Sequence, residues 1–147
     1  MKCIETTRQV NASIECVFQT ISDVRNFAKA VPHITNIEFL TDQQHGAGTR
    51  FRETREMNGK PTTVDLEVTE FIENERVRIV SDAGGTVWDT VFTVRPLADS
   101  VAMHMVMEAH AHKFMAKLIN PLIRGMVAKA VESDMDAVKA YCESEAK

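Results

Sequence analysis

Glu53 and Arg55 sit two positions apart in the run Thr49-Arg50-Phe51-Arg52-Glu53-Thr54-Arg55-Glu56-Met57. In a strand, residues two apart share a face, so both share one with the apolar Phe51 and Met57. If that face looks into a core, a carboxylate and a guanidinium must pair there or hold a polar ligand group. Such a pair could also do proton chemistry. A base takes a proton from beside a carbonyl, and a cation stabilises the oxyanion. Glu53, His33 and His104 are the candidate bases, and Arg55 is the oxyanion partner. His33 qualifies because an imidazole titrates near neutral pH.

Other residues offer less. His104, His110 and His112 close one strand, but only Glu108 stands near as a carboxylate, so a solvated surface is expected rather than zinc. Asp134 falls among Ala130, Ala137 and Val138 on the apolar side of a helix, where it could hold a polar ligand atom. It is expected instead where the helix overruns the sheet. Cys3, Cys16 and Cys142 show no CxxC spacing and are expected as free thiols of a reducing compartment. No cofactor and no metal is expected.

Several elements must position these groups. Residues 2 to 10 read as a strand. Ile14, Val17, Phe18, Ile21 and Val24 recur at helix spacing behind two candidate caps, Asn11 and Ser13. That helix is expected to end before Pro32, with a second short turn starting at Asn26-Phe27. The period then falls to two. Strands are expected at Ile37–Thr41, Thr49–Met57, Thr62–Phe71, Arg76–Ser81, Thr86–Arg95 and Val101–His110. Asn58-Gly59 is a strong hairpin signal, and Val64, Leu66 and Val68 are expected inward. A short helix over Lys113–Ile119 leads into a long one from Pro121 to Glu145. Asn120 would cap it and Pro121 would take its first position, giving a length of about 37 Å.

The 147 residues predict one domain spanning 1–147, large enough for a real core. A net charge of -4, with Lys and Arg scattered, argues against a nucleic-acid or an anionic-membrane surface. No apolar run is long enough for an integral membrane segment, and the strand-like start carries no signal pattern, so a cytoplasmic protein is expected. Eight Met against one Trp and one Tyr suits a pliable apolar surface.

The order of elements resembles the helix-grip fold of START-like and Bet v 1-like proteins. Within it, the chain resembles the polyketide cyclase/dehydrase and lipid transport (SRPBCC) branch. The likeness rests on Asn11-Ala12-Ser13-Ile14-Glu15-Cys16-Val17-Phe18, on Ile21-Ser22-Asp23-Val24 with Phe27 and Val31-Pro32, and on Gly46-Ala47-Gly48-Thr49-Arg50-Phe51. It extends to Val68-Thr69-Glu70-Phe71 and to Asp134–Glu143. It covers nearly the whole chain, and its motifs mark fold positions rather than chemistry.

The resemblance implies an α+β fold, a curved antiparallel sheet of about seven strands wrapped around a long C-terminal helix. It implies a hydrophobic ligand cavity between them, holding a lipid, quinone or polyketide for transport or sequestration. The residues expected to line it are Phe51, Glu53, Arg55, Met57, Trp88, Phe92, Met103, Met105, Met107, Leu122, Met126 and Tyr141. The loops at His33 and Gly84-Gly85 are the expected gates. The second expectation is an aromatic polyketide cyclase/dehydratase using the same cavity. The third is a homodimer packing exposed Met and Val side chains.

Overall fold

The computed structural model describes residues 3–57 and 59–145. Seven strands and three helices follow in the order β1 Cys3–Val10, α1 Ile14–Ser22, α2 Val24–Ala30, β2 Ile34–Phe39, β3 Arg50–Met57, β4 Lys60–Ile72, β5 Arg76–Ala83, β6 Thr86–Pro96, β7 Val101–Ala111 and α3 Phe114–Glu145. One antiparallel sheet has the order β1-β7-β6-β5-β4-β3-β2. It is a meander from β2 to β7, with β1 returning beside β7. Helices α1, α2 and α3 lie on its inner face. The architecture is α+β helix-grip.

Local chemistry explains the borders. The Ser13 hydroxyl accepts from Cys16 N at 3.1 Å, which starts α1. Asp23 ends α1 with its own N–H on the Gln19 carbonyl, and its carboxylate accepts from Arg25 N at the start of α2. One residue thus turns the chain between two helices. Residue 2, where the first strand is expected to start, and Asn58 of the expected hairpin lie outside the described residues. The register on either side of that hairpin closes at Met57 opposite Lys60.

Two irregularities decide which side chains face inward. Register shifts between Val68 and Glu70, and between Ile34 and Asn36, each break the period of two. Val68 and Phe71 therefore both join the core, as do Ile34 and Ile37, although each pair is three positions apart. Phe71 then meets Phe18 edge to face, ring centroids 5.3 Å apart.

The long helix corrects one expectation. It is continuous over 32 residues and encloses Pro121. Asn120 is therefore no cap, and its side-chain amide donates to Thr86 Oγ1 at 2.9 Å. The reason lies upstream. The Gly85 carbonyl accepts from both His112 N and Lys113 N, which fixes the chain just before α3. A proline inside a helix costs about 3 kcal/mol. Burial of Ala116 and the Asn120–Thr86 bond oppose that cost.

Gly85 is needed for this contact. Its φ is 83°, and a Cβ there would come within 2.7 Å of Lys113 Cβ. Gly85 is thus buried against Lys113 just before α3 while Gly84 is exposed, and neither residue lines the main cavity. That corrects its expected role as a gate.

Candidate ligand cavity

The concave face of β3–β7, the α1–α2 corner and the middle of α3 enclose a half-open cavity of about 260 Å³. Its walls are mostly apolar. Phe51, Leu66, Val68, Ile79 and Phe92 come from the sheet, Ile21 and Phe27 from the helical corner, and Val131 from α3. Phe27 and Phe92 face each other edge-on at 6.2 Å. Gln44, His45 and Gly46, from the β2–β3 loop, also line it. The His45 ring stacks edge-on against Phe71, centroids 4.8 Å apart.

Charge enters at one place. Arg55 Nη1 donates to both carboxylate oxygens of Asp134, at 3.0 and 2.9 Å. Arg55 Nε stands 3.6 Å from a Glu53 carboxylate oxygen, an ion pair longer than a hydrogen bond. All three side chains are largely buried, at 16% exposed for Arg55, 12% for Glu53 and 17% for Asp134. Burial pushes the Glu53 carboxyl above its ordinary range, with the Arg55 charge pulling back. Burial likewise raises Asp134 against the pull of Arg55. Two carboxylates thus share one guanidinium inside an apolar space.

A neutral polar group adds to this. The Ser22 hydroxyl is buried and has no hydrogen-bond partner among the described residues, and Ser22 lines the cavity. Buried hydroxyls are usually partnered, so this one stands ready for a ligand or a water. Thr62 lines the cavity as well.

Strand parity brings Phe51, Glu53, Arg55, Phe92 and Met107 to the cavity. The side chain of Met57 lies outside the described residues. Met103 and Met105 are 0% and 2% exposed and belong to the packed core, so the expected methionine wall reduces to Met107. Helices α1 and α3 cover that part of β7.

Trp88 lines a second cavity, of about 320 Å³, between β6, β7 and the first half of α3. Met107 borders both cavities. Leu122 and Met126 point outward, at 82% and 43% exposed. Leu122 precedes Val131 by about two and a half turns at 3.6 residues per turn, so it faces the opposite side. Tyr141 is half-buried against the core near the end of α3 and lines neither cavity.

The histidines divide similarly. His104 lies on the outer face, 3.2 Å from Glu5 and 2.8 Å from Thr7 Oγ1, which removes it as a base in the cavity. His33 is exposed and does not line the cavity, although its charge bears on Asp134. His112 pairs with Asp82 at 2.8 Å and His110 faces Glu108 at 4.0 Å. Among the described residues no cluster could hold a metal ion.

Sequence reasoning missed Ser22 and the α1–α2 corner, and it expected Asp134 beyond the sheet rather than in the cavity. The signal for Asp134 was present. It stands four residues after Ala130 and three after Val131, on the stripe that faces the cavity.

A curved antiparallel sheet holding a long C-terminal helix, with an apolar cavity between them, defines the helix-grip class of ligand-binding domains. The chain belongs to the family described as polyketide cyclase / dehydrase and lipid transport, matched over residues 1–143. No curated protein matches it. Among solved structures, the chain is similar to TTHA0849 from Thermus thermophilus, with 17% identity, a TM-score of 0.80, and 99% of this chain and 100% of that one covered. It is similar to a START superfamily protein from Mycobacterium smegmatis, with 17% identity, a TM-score of 0.78 and 97% of each chain covered. It also resembles the di-domain ARO/CYC StfQ from the steffimycin biosynthetic pathway, with 10% identity, a TM-score of 0.80, and 98% of this chain but 51% of that one covered. At such identities these likenesses concern the fold.

Proposed function

We propose that the protein binds one small, largely apolar, uncharged molecule in the 260 Å³ cavity and carries or sequesters it. The observation that carries this reading is the buried trio Glu53, Arg55 and Asp134 at the wall of an apolar space. Burying about 200 Å² of ligand surface contributes roughly 5 kcal/mol. The polar groups then choose the ligand. The cationic side chain lining the cavity, Arg55, already faces two carboxylates, so an acid would enter without a free counter-charge. A hydroxyl or phenol can donate to the Glu53 carboxylate instead, and the Ser22 hydroxyl is a second polar contact. A long-chain alcohol, a phenol or a quinol fits this pattern better than a fatty acid.

The test is displacement of a polarity-sensitive dye by matched alcohol, phenol and carboxylate ligands of one chain length. Alcohols and phenols displace it at about tenfold lower concentration than the carboxylate, and Glu53→Gln narrows that gap. Equal or tighter binding of the carboxylate overturns the ligand class. No displacement by any of them overturns the carrier reading.

A second reading is a cyclase or dehydratase working in the same cavity. Burial raises Glu53 toward the range useful for proton transfer, and once Glu53 has taken the substrate's proton its pull on Arg55 is relieved, which lets Arg55 serve as the oxyanion partner. Turnover of a polyketide-like substrate that survives both Glu53→Gln and Arg55→Ala removes these assignments.

A further inference from the structure

The second cavity holds about 320 Å³ and meets the main one only through Met107. Its floor is apolar and comes from three neighbouring strands, with Ile4 from β1, Trp88 from β6, and Met107, Ala109 and Ala111 from β7. Register sets Ile4 opposite Met107 and Trp88 opposite Ala109, so these side chains share the inner face of the sheet. Farther along that face of β7, Met103 and Met105 fill the space and are buried. Ala109 and Ala111 do not fill it, and the large side chains of Ile4, Trp88 and Met107 stay only half-buried.

One face of α3 forms the opposite wall. Lys117, Asn120, Pro121 and Arg124 follow the spacing that brings helix residues to one side. Asn120 is held there by its bond to Thr86 Oγ1. Lys117 and Arg124 are exposed at the rim, two turns and about 10 Å apart along the axis. Long flexible stems let two such cations reach one anion across that distance. Among the described residues no acidic side chain lines this cavity, and residues 113–131 contain none. The two cavities therefore differ in charge. Arg55 in the main one faces two carboxylates, whereas the second presents two cations to its contents and no carboxylate.

We propose that the second cavity is a separate site for an amphipathic anion, an apolar body that carries one carboxylate or phosphate. The body lies on Trp88 beside the two alanines, and the head stands between Lys117 and Arg124. Burial of the body supplies the attraction, and charge-assisted hydrogen bonds at the rim choose the head. The head keeps part of its water there, so the desolvation that penalises an acid beside Glu53 and Asp134 is small. This site does not rest on the carrier reading of the main cavity.

Trp88 is the single tryptophan of the chain, so its emission reports on this cavity. The probes are decanoate, decyl phosphate, methyl decanoate and decanol. The two anions bind about tenfold more tightly than the ester and the alcohol, and high salt narrows the gap. Lys117→Gln with Arg124→Gln abolishes the preference, with unchanged circular dichroism and unchanged dye binding in the main cavity. Both side chains are exposed, so this variant keeps its fold. The charge-keeping pair Lys117→Arg with Arg124→Lys retains the preference. The anion that binds more tightly identifies the head.

Equal binding of ester and anions overturns the proposal, as does a preference that survives the paired glutamine variant. No response of Trp88 to either anion overturns it as well. Val64→Phe fills the main cavity and leaves the Trp88 response to decanoate unchanged. Loss of that response in Val64→Phe places the anion in the main cavity and overturns the separate site. Dye displacement reads the main cavity by itself, so failure of the carrier reading is seen independently of these outcomes.

Discussion

Arg55 Nη1 holds both carboxylate oxygens of Asp134, at 3.0 and 2.9 Å, across 79 positions of sequence. The contact ties β3, one strand in from the β2 edge of the sheet, to the long helix at the cavity wall. Coulomb attraction is strong where water is scarce, but so is the cost of desolvation. The pair is therefore costly to break on one side only.

Arg55→Ala leaves two carboxyls buried without a counter-charge and destabilises the fold by about 3 kcal/mol at neutral pH. Replacing Arg55 and Asp134 together, with Arg55→Met and Asp134→Leu, recovers part of that loss, with Glu53 still left without its counter-charge. Urea unfolding of Arg55→Met, of Asp134→Leu and of the double variant measures the coupling. Additive losses in the double variant would show that the pair contributes nothing as a pair.

Stability depends on pH through the same site. Burial raises the Glu53 and Asp134 carboxyls above their unfolded values, so the folded state binds more protons between the two values. The stability they contribute is full below the unfolded carboxylate value and is lost as pH rises through the folded one. Glu53→Gln removes its share of this loss. The variant gains stability relative to the parent as pH rises from about 4 to 7. Unfolding midpoints at stepped pH test it, and a gain that appears only on acidification contradicts the raised carboxyl.

Filling the cavity separates binding from folding. Val64 is half-buried and lines the cavity wall. Val64→Phe places an aromatic ring into that space, lowers ligand affinity about tenfold and leaves the thermal midpoint unchanged or higher. Dye titration and thermal unfolding on one sample read both effects. Full affinity in this variant would place the ligand elsewhere.

The Cys142 thiol reports on global opening. Burial pushes it up to about 12, and its sulfur lies 3.4 Å from Thr20 Oγ1. Buried at 0% exposure and held mostly protonated, the thiol meets an aromatic disulfide reagent only after unfolding. Its folded value exceeds its unfolded one, so the stability it contributes holds below the unfolded value and is lost as pH rises toward 12. Labelling of Cys142 faster than global unfolding would show a local opening between α1 and α3.

The sequence by itself determined the strand and helix periods, the glycine and asparagine turns, and the face on which Phe51, Glu53 and Arg55 stand together. These are local properties. A period of two or of 3.6 is written in neighbouring residues. It also carried the family motifs from Asn11-Ala12-Ser13 to Asp134–Glu143, and through them the grip of sheet on helix.

Tertiary structure decided the rest. The bulge after Val68 brought Phe71 inward, which a strict alternation cannot foresee. The phase of α3 was fixed by Val131, Met135, Val138 and Cys142 against the core, and that turned Leu122 and Met126 outward. Helix cover over β7 took Met103 and Met105 out of the cavity and left Met107 between the two cavities. The contact between Arg55 and Asp134 arises only when sheet and helix meet. Each of these depends on which surfaces exclude water together, and distant segments settle that jointly.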